Sequence, residues 1–203
     1  MCDLSELFNK YGSDKTRNGY ARLYHLLFNH MKNDHLKFLE IGIGTMIPGA
    51  PSFMVGYSLP GYKPGGSLRA WRDYFPNADI IGMDIQPDTQ FTDDRIKTYL
   101  CDSTNKSAVK DTLDQLGNPE FDVIIEDGSH YFVNQMRSLS NFYPYLKNGG
   151  IYVIEDVGEN CPFVQNPEMI EVLINRDPIV FCGRKSNLCV IHKNHLNATS
   201  TGY

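Results

Sequence analysis

The sequence predicts an α/β fold: one open, mostly parallel sheet of seven strands, helices on both faces, and an antiparallel hairpin at its C-terminal end. Three observations carry this reading. Short apolar runs alternate with helix-period segments, as in βαβ units. Four runs, LKFLEIG, ADIIGMDI, FDVIIED and GIYVIED, are apolar almost throughout, as strands covered on both faces are. The last strand-like stretch, PIVFCGRKSNLCVIHK (178–193), divides around 183–186 into the two arms of a hairpin.

Each element has a local reason. The first 35 residues predict helices: Leu4, Leu7, Phe8 and Tyr11 share one face, and Leu23, Leu26, Leu27 and Met31 another. The turn-forming YGSDKTRNGY lies between them. Residues 36–42 are the first strand, ended by glycine. A loop rich in Gly and Pro follows, then a short amphipathic helix (67–75) with Leu68 and Trp71 on one side and Ser67 as N-cap. Strands are expected at 78–85, 96–102, 121–127 and 150–156. Between them fall a helix at 106–116, stopped by Gly117, and one at 131–146, stopped by Gly149 and Gly150. The second turns Phe132, Met136, Leu139, Tyr143 and Leu146 inward. A helix at 167–175 precedes the hairpin, and a polar tail closes the chain. The expected organisation is one domain over 1–203: a helical N-terminal cap (1–35), a core (36–193) and the tail (194–203).

The 203 residues suffice for one sizeable core. A formal charge of −5 gives no electrostatic reason to expect nucleic acid or an anionic membrane. No apolar run is long enough to span a bilayer, and MCDLSELFNK lacks a signal-peptide core, so a cytoplasmic location is expected. Five cysteines without a CxxC pair argue against a disulfide scaffold or zinc knuckle; Cys101, Cys182 and Cys189 read as reduced core residues. Asn105 and Asn197 begin glycosylation-like triplets that read as chance matches.

Ligands of open α/β sheets bind beyond the carboxyl ends of the strands. Here those ends carry Glu40, Gly42, Gly44, Asp84, Asp102, Asp127, Glu155 and Asp156. Gly42 and Gly44 allow close backbone approach. Asp84 stands where a carboxylate accepts hydrogen bonds from ribose hydroxyls, and Asp102 where one meets an adenine amino group. The third glycine of a dinucleotide fingerprint is missing, since Ile47 holds its place. The set reads as a nucleoside site without a clear pyrophosphate cradle.

EIGIG, the acids ending the next two strands and the closing hairpin resemble a class I methyltransferase using S-adenosylmethionine, with a Rossmann-like core. YGSDK with the following GY and LYH, PGGSLRAWRDYFPNADIIGMDI, IIEDGSHYFVNQMRSL and FYPYLKNGGIYVIEDV resemble more narrowly the macrolide sugar O-methyltransferases, which depend on magnesium. The likeness runs from about residue 8 to 193, and DGSH and IEDV are its specific parts.

The resemblance implies an O-methyltransferase acting on a sugar or glycan hydroxyl, with S-adenosyl-L-methionine and Mg2+ as cofactors. It implies Asp127, Glu155 and Asp156 as metal ligands, and His130 as general base with Asp127 beside it. Glu40, Gly42, Gly44, Asp84, Asp102 and Tyr20 form the expected cofactor set. The N-terminal YGSDKTRNGY is expected to fold over the site, with Lys15 meeting a carboxylate and Tyr20 and Tyr24 lining the pocket. Physical chemistry agrees: a hard cation prefers oxygen ligands, adjacent parallel strands lie about 4.8 Å apart, and an unperturbed imidazole titrates near ~6.5. Glu126 is expected to face away from Asp127, because strand neighbours alternate. Expected partners are the sugar acceptor and, since such enzymes are commonly oligomeric, a second copy in a homodimer. The alternatives are a catechol or other small-molecule diol as acceptor, an NAD-binding oxidoreductase, and a noncatalytic binding module.

Overall fold

Residues 3–50, 52–54, 56, 62–158, 179–182 and 187–193 are described by the computed structural model. The expected 167–175 helix, the 183–186 turn, the 194–203 tail and Asn197 lie outside the described residues.

All seven expected strands form: β1 (Lys37–Ile41), β2 (Asp79–Asp84), β4 (Ile96–Leu100), β5 (Phe121–Glu126), β6 (Leu146–Val157), β7 (Ile179–Cys182) and β8 (Asn187–His192). A two-residue strand, β3 (Thr92–Asp93), adds an eighth at one edge. The order is β3-β4-β2-β1-β5-β6-β8-β7. β4, β2, β1, β5 and β6 run parallel, while β3, β8 and β7 pair antiparallel with their neighbours. The chain leaves β1 toward β2 on one side and returns to β5 on the other. That reversal opens a crevice at the carboxyl ends of the central strands.

Alternation divides the core into two layers. Phe38, Ile80, Val123, Ile125 and Val153 pack with the helices α1 (Asp3–Lys10), α2 (Tyr20–Phe28) and α3 (Gly66–Tyr74). Leu39, Ile41, Ile81, Ile124 and Ile154 pack with α4 (Lys106–Gln115) and α5 (Phe132–Phe142). The expected N-terminal cap is therefore part of a covering layer. Trp71 is its centre, with the rings of Phe8, Phe38 and Tyr24 at 4.9, 5.0 and 5.1 Å. Such aromatic pairs prefer edge-on or offset contact and contribute beyond their buried area.

Four local expectations need correction. Leu26 does not face inward and is 70% exposed; α2 buries Tyr20, Ala21, Tyr24 and Phe28, because these aromatics reach the Trp71 cluster. Ser67 is not the cap of α3. Gly65, at φ 74°, holds that place, and Ser67 is buried and hydrogen-bonded to Glu40. α5 ends at Phe142 rather than near 146, since Pro144 lacks the N–H to continue it, and Tyr143–Tyr145 form one 3-10 turn. Gly149 and Gly150 lie within β6, where a register shift against β5 takes up the extra residues.

Asn105 is a helix cap, accepting from Ser107 N at 3.0 Å and Ala108 N at 3.2 Å. Cys101 and Cys189 are free and buried. Among the described residues, no helix is long and apolar enough to cross a membrane.

Candidate active site

The carboxyl ends of β1, β5 and β6 converge, and the N-terminal segment closes over them. The approach is local in origin. After α1, Gly12 turns the chain at φ 76°, and Ser13 caps the Asp14–Thr16 turn by accepting from Lys15 N at 3.4 Å. Tyr11 donates to Asp73 at 2.6 Å and Thr16 to the Ser5 carbonyl at 3.1 Å, pinning both ends. Lys15 is thereby driven inward and is 2% exposed. Its Nζ lies 2.6 Å from Asp127 Oδ2, 2.6 Å from Glu155 Oε1 and 3.2 Å from Glu40 Oε1. The expectation of one carboxylate partner understates this: Lys15 has three.

Burial alone would lower the Lys15 pKa, but Asp127, Glu155 and Glu40 hold it well above its ordinary value, so the ammonium is charged. Burial pushes Asp127 up; Lys15 and then His130 outweigh it and keep Asp127 below the usual range. Burial, then the charge of Asp127, pushes Glu155 well above that range. Tyr24 donates to the same Glu155 Oε1 at 2.5 Å, so that oxygen is shared by two donors.

A second, more open set lies outside the first. Asp127, His130 and Asp156 bring ligand atoms within 4.8 Å of one another. His130 Nε2 is 3.2 Å from Asp127 Oδ1 and 3.4 Å from Asp156 Oδ2. Tyr20 donates to Asp156 Oδ1 at 2.6 Å. His130 and Asp156 hold left-handed backbone, at φ 57° and 53°, a conformation that costs roughly 1–3 kcal/mol and gathers at functional sites. Burial lowers the His130 pKa, but the Asp127 hydrogen bond and the charges of Asp127 and Asp156 raise it to about 9. The imidazole is thus protonated at neutral pH here, unlike the free-histidine value assumed from sequence. The acids of this set are each 22% exposed, and their oxygens suit a hard divalent cation that keeps water ligands. The inner set already holds an ammonium.

The expected cofactor residues divide. Asp84, 4% exposed, accepts from Ile43 N at 2.8 Å and Gln86 N at 2.9 Å, bracing the loops after β1 and β2. Asp102 accepts from Thr104 N and Oγ1 at 2.9 and 2.7 Å, closing its own turn. Gly42, at φ 83°, is needed by the protein: a Cβ there would overlap the Asp127 carbonyl and lie 2.7 Å from Gly128 Cα. A Cβ on Gly44 would strike the Tyr62 hydroxyl, which donates to the Ile43 carbonyl at 3.0 Å. Glu40 is fully buried, accepts from Trp71 Nε1 at 3.1 Å and pairs with Lys15, so its carboxylate lies beneath the crevice. Tyr20 sits on the Asp156 side.

Three contributions were not legible. Glu126 faces away from Asp127 as expected but is a buried acid: Oε1 accepts from Gly128 N at 3.3 Å, and Oε2 has no partner among the described residues. Burial, then Asp127, raises its pKa to about 8. Trp71 anchors Glu40, a pairing between elements with no sequence signal. Ile85, directly after Asp84, is an exposed apolar residue at 57%, which the sequence reading did not single out.

No family model matches the chain. It is 33% identical over 157 residues to 8-demethyl-8-(2-methoxy-alpha-L-rhamnosyl)-tetracenomycin-C 3'-O-methyltransferase of Streptomyces olivaceus, covering 76% of this chain and 37% of that protein. It is 34% identical over 157 residues to mycinamicin VI 2''-O-methyltransferase of Micromonospora griseorubida, covering 76% and 36%. Demethylmacrocin O-methyltransferase of Streptomyces fradiae is 32% identical over the same length, with the same coverage. The chain thus spans little more than a third of the curated relatives it matches. Among solved structures, MycE methyltransferase from the mycinamycin biosynthetic pathway, in complex with Mg, SAH and mycinamycin VI, superposes with a TM-score of 0.76 at 24% identity, over 99% of this chain and 57% of that one. The chain shares the fold of that methyltransferase, and its likeness to the O-methyltransferases named above extends over three quarters of its length.

Proposed function

From this fold and this resemblance, we propose that the chain is an S-adenosylmethionine-dependent O-methyltransferase acting on a sugar or glycan hydroxyl with the help of a divalent cation, magnesium by preference. The observation that carries it is the open set Asp127, His130 and Asp156 at the carboxyl ends of β5 and β6, within 4.8 Å of one another. The Streptomyces olivaceus relative is named for 3'-O-methylation of a rhamnosyl compound, which favours a sugar over a catechol. The missing third glycine disfavours NAD.

Asp127 and Asp156 are the first candidates to hold the ion. Glu155, the third expected ligand, has Oε1 committed to Lys15 and Tyr24. A bound divalent cation supplies positive charge that acidifies an acceptor hydroxyl. With a cation held by Asp127 and Asp156, His130 would lose the charges that hold its proton and could accept one. The acceptor oxygen then takes the methyl from the sulfonium as its proton passes to His130; a C–O bond forms, a C–S bond breaks, and S-adenosylhomocysteine leaves. Asp84 and the backbone of the Gly42–Gly44 turn would hold the nucleoside end of the donor, with Asp102 and Ile85 toward its adenine, and fixed geometry would do most of the remaining work.

The test is alanine at Asp127 and, separately, at His130, assayed with labelled donor and a panel of vicinal-diol glycosides. Transfer is expected to vanish in both while S-adenosylhomocysteine binding survives. Transfer that persists in both contradicts the mechanism.

A further inference from the structure

The inner and outer sets share one residue. Asp127 gives Oδ2 to Lys15 at 2.6 Å and Oδ1 to His130 at 3.2 Å. A carboxylate that gives one oxygen to an ammonium and the other to an imidazole is placed like a bridging carboxylate of two-metal sites, where the ions lie about 3.5–4 Å apart. On the inner side the partners are Glu40, Asp127 and Glu155, with ligand atoms within 4.8 Å, as close as those of the outer set. A cluster of buried acids is costly unless a cation accompanies it. Here the cation is Lys15, delivered by the Gly12–Ser13 turn and 2% exposed.

We propose that the Lys15 ammonium is a resident cation: it fills the inner of two adjoining cation positions built from shared carboxylates, and so leaves the chain one divalent-ion position, the outer one. Lys15 is then a positioning residue. It turns one oxygen of Asp127 and one of Glu155 inward and leaves the other Asp127 oxygen to the reacting side. A fixed monovalent charge in place of a second metal keeps the ion count at one and makes the YGSDK segment a structural part of the site. The inference rests on the metal reading above, and its test separates the two.

Protein stripped with chelator and loaded with S-adenosylhomocysteine is titrated with Mn2+, following free ion by paramagnetic resonance. The unsubstituted chain should bind one ion, weakened roughly tenfold or more in Asp156→Asn. Lys15→Ala, which vacates the inner position, should bind two, the second lost when Glu40→Gln is added, and its melting temperature should rise with Mn2+ more than that of the parent. One ion in both proteins overturns the Lys15 proposal and leaves the metal reading standing. Two ions in the unsubstituted chain also overturn it. No ion in either overturns both. A measurement on the unsubstituted chain covers the case in which Lys15→Ala does not fold. With 15N-labelled lysine, the Lys15 Nζ signal should remain protonated and protected from solvent through saturation with Mg2+. Its release into solvent exchange would show that the ion displaces it, against the proposal.

Discussion

Replacing Glu126 with glutamine should stabilise the protein, and increasingly so as pH rises. Glu126 is 2% exposed, and one of its oxygens has no partner among the described residues. Burial, followed by the charge of Asp127, moves its pKa from 4.5 to about 8. A group whose folded pKa is raised holds its proton more tightly in the native state, so its contribution is complete below the unfolded value and is lost as pH climbs. The window runs from 4.5 to about 8, which corresponds to roughly 4–5 kcal/mol at about 1.36 kcal/mol per pKa unit. Near pH 7 most of that cost is already present. Glutamine cannot ionise, but its buried amide recovers less, since an unmatched donor costs about 1–3 kcal/mol. The net expectation at pH 7 is a gain of roughly 1–3 kcal/mol, near zero or negative at pH 5. Urea unfolding of both proteins at pH 5, 6, 7 and 8, in chelator, measures it. A difference that does not change with pH, or a variant less stable at pH 8, refutes the reasoning.

Three further outcomes are expected. The His130 Hε1 resonance should titrate near pH 9 without metal, and fall toward 6.5 in Asp127→Asn; an unchanged midpoint in that variant would show that Asp127 does not hold the proton. The linked stability is present below pH 6.5 and lost as pH passes about 9, but His130 is 47% exposed, so screening limits it to about 1 kcal/mol or less. Gly42→Ala should cost more than about 2 kcal/mol in urea unfolding, since left-handed backbone alone costs about 1–2 kcal/mol and the overlapping Asp127 carbonyl is backbone; a loss below 1 kcal/mol would contradict the packing. Trp71→Phe should lose about 2–4 kcal/mol at unchanged m-value, from a cavity and the orphaned Glu40 oxygen.

Much of the fold was readable because its strands are buried on both faces and carry their pattern locally. Ile80 and Ile81 reach opposite layers, yet both are apolar, which is why ADIIGMDI reads as a central strand. The errors arose where tertiary contact outranked local pattern. Leu26 lost its expected place to Tyr24 and Phe28, whose rings reach Trp71. Ser67 has a cap residue's chemistry but is held inside the helix by Glu40. For the site, DGSH and IEDV marked the acids and the histidine, and YGSDK the lysine. Sequence could not say that Lys15 contacts residues 112 and 140 positions away, because such pairing depends on the sheet order. Nor could it reveal that Glu40 and Gly42 face protein groups, or that Glu126 is buried without a full set of partners.

The central claim is methyl transfer that depends on a divalent ion at the Asp127–Asp156 end of the sheet. The most direct measurement supplies methyl-labelled S-adenosylmethionine and a rhamnoside with free vicinal hydroxyls, with Mg2+ and again with excess chelator. Label is expected in an O-methyl sugar with Mg2+, none in chelator, and label again when Mg2+ is restored. Label transferred equally in chelator would contradict it.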